Sequence, residues 1–207
     1  MNGKEWKKKL YPYTLATKEL MLKFRQLSDE YLMTMGTSPI ESVRGRVKTV
    51  NSIEEKMKKK GIELCDLEER MEDLAGVRII VPFVEDIVKI RNIICKRTDL
   101  RIKSEKDYVS HPKESGYRSY HMIVFYTVQL MGRPKELQVE IQIRTLAMNF
   151  WATIDHSLQY KYKDTIPMDV QKKLKEASDT ICTLDSLMSE AKEEIQMHST
   201  LDGEVEV

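Results

Sequence analysis

Four residues with chemically useful side chains recur at every second position in Leu137-Gln138-Val139-Glu140-Ile141-Gln142-Ile143-Arg144. Leu137, Val139, Ile141 and Ile143 alternate strictly with Gln138, Glu140, Gln142 and Arg144. That period makes a half-buried β-strand, one face in a core and the other presenting an acid, amides and a base. A solvent-washed strand face has the same pattern, so the chemistry rests on what the rest of the chain brings to it.

A second alternation supplies cations. In Arg44-Gly45-Arg46-Val47-Lys48 the three charges share one strand face, and Gly45 lets another group approach the backbone. Ser52, Lys56, Lys59 and Lys60 follow at helical spacings that put them on one side of a helix. A cationic strand feeding a lysine-edged helix N-terminus suits a polyphosphate, which gains from several charges and from the helix dipole. It is not a Walker loop, because the glycines are missing. A solvated basic helix is the plain alternative for the lysines. Three like charges on one strand face repel one another without an anion, which favours phosphate.

Asp73 precedes the apolar run Ala75–Val81, in which Arg78 is embedded and must find a partner or a ligand. Paired across a sheet, Asp73 and Glu140 have the composition of a Mg²⁺ site, which takes one or two carboxylates and leaves other positions to water and phosphate. Asp73 alone reads equally as a turn residue. The polar segment His111-Pro112-Lys113-Glu114-Ser115-Gly116-Tyr117-Arg118-Ser119-Tyr120-His121 offers a projecting Tyr117 for stacking on a base. Lys113, Arg118 and His121 are available there for phosphates. An ordinary loop with an exposed tyrosine is the alternative. His121 and His156 have no neighbouring Cys and no His-Glu-x-x-His pattern, which argues against zinc. His198 lies in a polar tail and carries no signal.

The elements that must position these residues form a mixed pattern. Residues 4–34 read as a helix, with Pro12 forcing a start or kink. Ser42–Val50 reads as a strand and Asn51–Lys60 as a helix opened by the capping box Ser52-Ile53-Glu54-Glu55. Asp66–Asp73 is a short helix, Ala75–Val81 a strand, Glu85–Arg97 a helix and Leu100–Val109 a strand. Ser119–Gln129 and the strand with Glu140 form a hairpin about the turn Met131-Gly132-Arg133-Pro134. Leu146–Lys163 is helical, and a last helix begins at Pro167. The expected fold is α/β (α+β): a mixed, mostly antiparallel sheet of about five strands flanked by helices.

The two end helices carry narrow apolar stripes: Trp6, Leu10, Tyr13, Thr17, Leu20, Phe24, Leu27 and Tyr31 in one, and Val170, Leu174, Ala177, Ile181, Leu184, Met188, Ala191 and Ile195 in the other. Either each packs on its own core, or they pair with each other or with another subunit; some oligomer is expected. Residues 1–60 hold 14 Lys and Arg against 7 Asp and Glu, and residues 167–207 hold 4 against 10. The basic front suits nucleotide phosphates, nucleic acid or an acidic partner, and the acidic end is an internal partner for it. At 207 residues the chain suits one core with appendages. No run is long and apolar enough for a membrane span, and the basic N-terminus lacks the apolar stretch of a secretory signal. Cys65, Cys95 and Cys182, odd in number and without metal spacing, read as reduced packing residues of a cytoplasmic protein.

Gly45-Arg46-Val47-Lys48, Asp73-Leu74-Ala75-Gly76-Val77-Arg78, Gly116-Tyr117-Arg118-Ser119-Tyr120-His121 and Val139-Glu140-Ile141-Gln142-Ile143-Arg144-Thr145 come in the order and spacing of alarmone synthetase domains. The chain resembles the small, single-domain branch of the Rel/Spo-type (p)ppGpp synthetases, of which Met148–His156 and Tyr160-Lys161-Tyr162-Lys163 are also typical. The resemblance spans about residues 4–196 and implies a nucleotidyltransferase-like synthetase domain. Within it, 1–36 would be an N-terminal helical extension, 37–165 the catalytic core and 166–207 a C-terminal helix and tail, with no hydrolase or ACT domain.

The resemblance implies transfer of pyrophosphate from ATP to the 3′-hydroxyl of GDP or GTP, releasing AMP, in the stringent response. Arg46 and Arg78 would hold the adenine, and Lys48, Ser52, Lys56 and Lys59 the ATP phosphates. Asp73 and Glu140 would bind Mg²⁺, Glu140 would help to deprotonate the hydroxyl, and Gln142 would orient the acceptor ribose. Tyr117 would stack on guanine, Lys113, His121 and Lys106 would meet the acceptor, and Asn149 would read the guanine edge. Arg144 would bind phosphate or brace the carboxylates. Ser104 and Ser115 stand where the family often has Arg and Asn. Both lie on the acceptor side, so the choice among GMP, GDP and GTP is not legible. A homotetramer is expected by resemblance. Alarmone or RNA as an allosteric ligand is not readable, and a catalytically silent nucleotide- or RNA-binding relative is the alternative.

Overall fold

A pair of parallel strands sets the architecture. Ala75–Val81 (β2) pairs in parallel with Arg133–Thr145 (β5), which forms an antiparallel hairpin with Tyr120–Leu130 (β4). Ser42–Val47 (β1) and Arg101–Asp107 (β3) close the two edges, both antiparallel to their neighbours. The computed structural model, which describes residues 1–161 and 167–203, thus holds one five-stranded sheet in the order β1-β2-β5-β4-β3. This is the mixed, mostly antiparallel sheet expected. Tyr162 and Lys163, expected to finish a helix, and the last four residues lie outside the described residues.

One sheet face is a core and the other is polar. Leu137, Val139, Ile141 and Ile143 of β5 are all buried, together with Val77 and Ile79 of β2 and Met122 and Val124 of β4. Helices Gly3–Met35 (α1) and Val84–Lys96 (α4) pack with this sheet, contributing Tyr13, Leu20 and Phe24, and Ile87, Ile90 and Ile94, and the short helix Leu67–Arg70 (α3) adds buried Leu67. The stripe of α1 therefore serves the chain's own core. Pro12 neither starts nor ends α1; it sits inside the helix, which begins earlier at an Asn2–Glu5 capping box.

Three further expectations are corrected. β1 ends at Val47, and helix Val50–Lys60 (α2) is capped by Thr49, whose Oγ1 accepts from the Ser52 amide, rather than by Ser52. Starting one residue earlier than the expected Asn51 lets Val50 join buried Ile53 at the core. Cys65, Cys95 and Cys182 are all exposed and free, so none is a packing residue. The apolar stripe of the last helix, Met168–Gly203 (α6), is divided: Val170, Leu174, Ile181 and Ala191 are half-buried, whereas Leu184, Met188 and Ile195 are exposed. The helix lies on Leu146–Lys161 (α5), where Trp151 Nε1 donates to the Leu174 carbonyl, and on α4, where Ser189 and Lys192 bond Glu85. Ser178 and Asp185 bond the Gly116 carbonyl and Thr145, and Leu187 is exposed as well.

Gly45 is a point at which α1 presses directly on the sheet. A Cβ there would stand 2.4 Å from Thr17 Cγ2 and 2.5 Å from Met21 Sδ, so the approaching group is α1 itself. Thr17 is buried and held by its hydroxyl to the Tyr13 carbonyl at 2.8 Å, and it cannot simply swing away. Gly45→Ala is therefore expected to destabilise the fold by about 1–3 kcal/mol through overpacking, measured as a lower urea midpoint with an unchanged slope.

Candidate active site

Strand register assembles the site. Cross-strand pairing aligns Arg44, Arg78, Gln142, His121 and Lys106 in one row across all five strands, with Arg46, Gly76, Glu140, Ile123 and Ser104 in the next. Members of the two rows on each strand are two residues apart, so they share the polar face. Gly76 contributes no side chain between Arg46 and Glu140, and a Cβ there would find only the Glu140 carbonyl, at 3.9 Å.

Two cavities open on these rows. The larger, about 450 Å³, is lined by Arg44, Arg46, Arg78, Tyr117, Gln142 and Arg144, with Thr153, Asp155, His156 and Gln159 of α5 as a further wall. The smaller, about 230 Å³, is lined by Lys56, Lys60, Arg70, Lys106, Lys113, Tyr108 and His121. Asp73 and Glu140 are the residues common to both.

Glu140 sits in a closed ring of side-chain hydrogen bonds. Gln142 Nε2 donates to one carboxylate oxygen at 2.8 Å, and His121 Nδ1 lies 3.0 Å from the other. His121 Nε2 is 2.8 Å from the Tyr117 hydroxyl, to which Arg144 Nη2 donates at 2.5 Å. The same nitrogen donates to Gln142 Oε1 at 3.0 Å and closes the ring. One set of protons satisfies every member: Nδ1–H toward Glu140, and the Tyr117 O–H toward Nε2. Burial pushes the Glu140 carboxyl up, but the hydrogen bonds from His121 and the Gln142 amide hold it below its ordinary value. Arg144, itself buried, braces the ring and also donates to Ser119 Oγ at 3.2 Å.

Asp73 is held differently. Lys48 and Lys56 both reach its Oδ2, at 3.0 and 2.7 Å, whereas Oδ1 is buried with no hydrogen-bond partner among the described residues. Burial pushes this carboxyl up and the two ammonium groups more than offset it, so its pKa lies below the ordinary value. A carboxylate with one orphaned oxygen, beside an ionised Glu140, fits a hard cation that takes most of its ligands from phosphate and water. Arg78 donates to Asn149 Oδ1 at 3.2 Å and to Gln142 Oε1 at 3.4 Å; burial and the charges of Arg144 and Arg46 bring its pKa down to about 10.

Most of the expected site residues thus gather at these cavities. Arg46, Arg78, Gln142 and Tyr117 line the larger, and Lys56, Lys106, Lys113 and His121 the smaller; Lys48 reaches it through Asp73, and Asn149 joins the larger through Arg78. Ser52 and Lys59 line neither: the Ser52 hydroxyl accepts from Thr49 Oγ1 at 2.9 Å, and Lys59 is exposed. Sequence reasoning missed Tyr108, which meets Tyr117 and His121 edge-on with centroids 6.1 and 5.3 Å away. Its signal is Asp107, whose Oδ1 accepts from the Val109 and Ser110 amides and so ends β3 in a turn at Tyr108. The α5 wall was missed as well.

Two cationic cavities meeting at a carboxylate pair define a site suited to joining two phosphate-bearing substrates. A family signature described as a region found in RelA/SpoT proteins matches residues 45–165. The chain is 46% identical over 196 residues to the GTP pyrophosphokinase YjbM of Bacillus subtilis, covering 95% of this chain and 92% of that protein. It also resembles the crystal structure of small alarmone synthetase 1 from Bacillus subtilis bound to its product pppGpp (TM-score 0.90, 47% identity, 93% of this chain and 99% of the other). The AMPCPP-bound structure of that enzyme matches with a TM-score of 0.83 at 43% identity, over 94% of this chain and 99% of the other. The chain belongs to the RelA/SpoT family, among its small alarmone synthetases.

The Asp73 pairs make stability depend on pH with a definite sign. Because the folded carboxyl titrates below its ordinary value of 3.8, its contribution is present above that value and is lost as pH falls below it. Asp73→Asn is expected to lower the melting temperature at pH 7 and to lose less further stability than the parent as pH falls from about 5 to 3. Parallel melting curves across that range check it.

Proposed function

We propose that the chain transfers the pyrophosphoryl group of ATP to the 3′-hydroxyl of GDP or GTP and releases AMP. The ATP base lies at the Arg46–Arg78 end of the larger cavity, with its phosphates reaching Lys56 past Asp73. The acceptor lies in the smaller cavity and against Tyr117, which lines the larger cavity and meets Tyr108 and His121 of the smaller. The observation that carries this reading is that two separate cationic cavities have Asp73 and Glu140 in common. A binding protein needs no such junction; a group transfer needs its two substrates to meet at one.

In the donor cavity, Arg46 and Arg78 flank the adenine, and Asn149 and Gln142 hold the Arg78 guanidinium in place. Lys48 and Lys56 carry the ATP phosphates, with Ser52 and Lys59 of α2 as a more distant field. On the acceptor side, Lys106 and Lys113 meet phosphates, and Tyr117 and Tyr108 offer rings for guanine. Phosphoryl-type transfer asks mainly for positioning and charge neutralisation. The acceptor 3′-oxygen attacks the β-phosphorus of ATP, and the bridging bond to the α-phosphorus breaks, its electron pair leaving with AMP. The hydroxyl proton passes to Glu140, which the ring keeps ionised and aimed. Gln142 orients the ribose from the neighbouring row.

Mg²⁺ is the cation for the carboxylate pair: Asp73 and Glu140 would hold it. When bound it would neutralise charge on the transferred phosphates. A reaction that draws on ATP and GTP suits a cytoplasmic protein; no described helix is long and apolar enough to cross a membrane. Leu184, Leu187, Met188 and Ile195, exposed on α6, support a homo-oligomer, with a tetramer the form we favour.

Incubation with ATP, Mg²⁺ and GDP or GTP, followed by nucleotide separation, is expected to give AMP and guanosine tetra- or pentaphosphate. Absence of both products would refute the reading, and chelation with EDTA is expected to stop turnover until Mg²⁺ is restored. Glu140→Gln should retain the parent's circular dichroism and lose at least about 100-fold in kcat. Tyr117→Ala is expected to raise the acceptor KM roughly 5- to 150-fold, from a stacking contribution of about 1–3 kcal/mol, with a much smaller change in the ATP KM.

A further inference from the structure

We infer that Ser178 and Asp185 of α6 are positioning residues for the acceptor: they clamp the loop that carries Lys113 and Tyr117, although neither is among the residues lining the two cavities described above. This rests on the synthetase reading above. Both are buried polar side chains on α6, and both direct their hydrogen bonds at neighbours of site residues.

Ser178 Oγ donates to the Gly116 carbonyl at 2.5 Å, one residue before Tyr117. Gly116 has φ +90°, and a Cβ there would stand 2.6 Å from the Ser178 Cβ, so the loop backbone lies directly against α6. Asp185, 6% exposed, accepts from Thr145 Oγ1 at 3.0 Å and lies 3.8 Å from Arg118 Nη1. Thr145 follows Arg144, and its hydroxyl also accepts from the Met148 amide at the start of α5. Arg118 follows Tyr117 and reaches back to the Val109 carbonyl through Nε and Nη2, each at 3.4 Å. Two α6 side chains therefore tie down both flanks of Tyr117 and the residue after Arg144, the two partners whose hydrogen bond helps close the Glu140 ring.

The direction of the effect follows from what the clamp does not touch. Arg46, Lys48, Lys56 and Arg78 sit on β1, α2 and β2 and in the segment between β1 and α2, whereas Ser178 and Asp185 bond to the Tyr117 loop and the end of β5. Loosening the clamp therefore acts on the acceptor side first. Ser189 and Lys192, farther along the same helix, both bond Glu85 of α4, away from the loop, and serve as an internal control for helix docking.

The test compares the parent with Ser178→Ala, Asp185→Asn and Ser189→Ala, by steady-state kinetics in each substrate, thermal melting and hydrogen exchange of residues 109–119. Ser178→Ala and Asp185→Asn are expected to raise the KM for GDP roughly 5- to 50-fold, with the ATP KM within about twofold, and to speed exchange in 109–119. Ser189→Ala is expected to do neither. Equal rises in both KM values, unchanged exchange, or the same effect from Ser189→Ala would overturn the clamp and leave α6 a merely structural helix. The exchange readout is independent of turnover: a parent that makes no product but shows faster loop exchange in the two variants would refute the synthetase reading while keeping the clamp.

Discussion

An ionised carboxylate in the middle of a sheet face is the constraint on which the site depends. Burying Glu140 costs free energy that only directed hydrogen bonds can offset. Those bonds come from one strand over, through His121, and from the same strand, through Gln142. The outer members, Tyr117 and Arg144, complete partners that would otherwise be left half-satisfied in a region of low dielectric. The loop carrying Tyr117, the end of β5 and the hairpin register are thereby tied to the protonation state of one side chain. A one-residue slip in the β4–β5 pairing would send His121 to the apolar face and leave the carboxylate without its strongest neighbour.

The parallel β2–β5 pairing does the complementary work. It puts Gly76 beside Glu140 and Arg78 beside Gln142, so an empty position and a guanidinium fall next to the acid and the amide. β1, antiparallel on the other side, then sets Arg46 against Gly76 and Arg44 against Arg78. At roughly 4.8 Å between strands, Arg46 stands about 10 Å across the sheet from Glu140. A triphosphate chain can occupy that distance without displacing backbone. The apolar face permits this arrangement because α1 and α4 fill it, leaving the polar face around Arg46 and Glu140 open to the two cavities.

Much of this is legible in the sequence because the motifs are local and periodic. The alternation in Leu137–Arg144 marks the strand, its buried side and three members of the ring. The alternation in Arg44–Lys48 likewise marks the cationic edge. What is not legible depends on geometry between elements. Tyr108 reads as a strand residue because the turn begins only when Asp107 captures two amides beyond it. Thr49 and Ser52 both offer a helix cap, and the burial of Ile53 with Val50 beside it makes the choice. The docking face of α6 is only half legible, because half-buried Leu174 and Ile181 share it with Ser178, Asp185 and Ser189, whose hydrogen bonds carry no hydrophobic periodicity.

The crowding of cations has the same origin as the ring around Glu140. Arg44, Arg46, Arg78 and Arg144 line one cavity, and the cost shows in Arg78, whose pKa is brought down to about 10 by burial and by Arg144 and Arg46. Against them stand Asp73, Glu140 and Asp155. Asp73 Oδ2 is already directed at Lys48 and Lys56, Glu140 is committed to His121 and Gln142, and Asp155 accepts from Gln159. The carboxylates are therefore taken up by the lysines, the ring and an amide. The arginines Arg78 and Arg144 are held by neutral groups, Gln142, Asn149, Ser119 and Tyr117. A polyphosphate is the partner that relieves this imbalance at the greatest number of points. It brings several negative charges to guanidinium groups that no fixed acid in the cavity neutralises, and with its own cation it also gives Asp73 Oδ1 a partner. The same arrangement that makes the cavity electrostatically uncomfortable is thus what selects its substrate class.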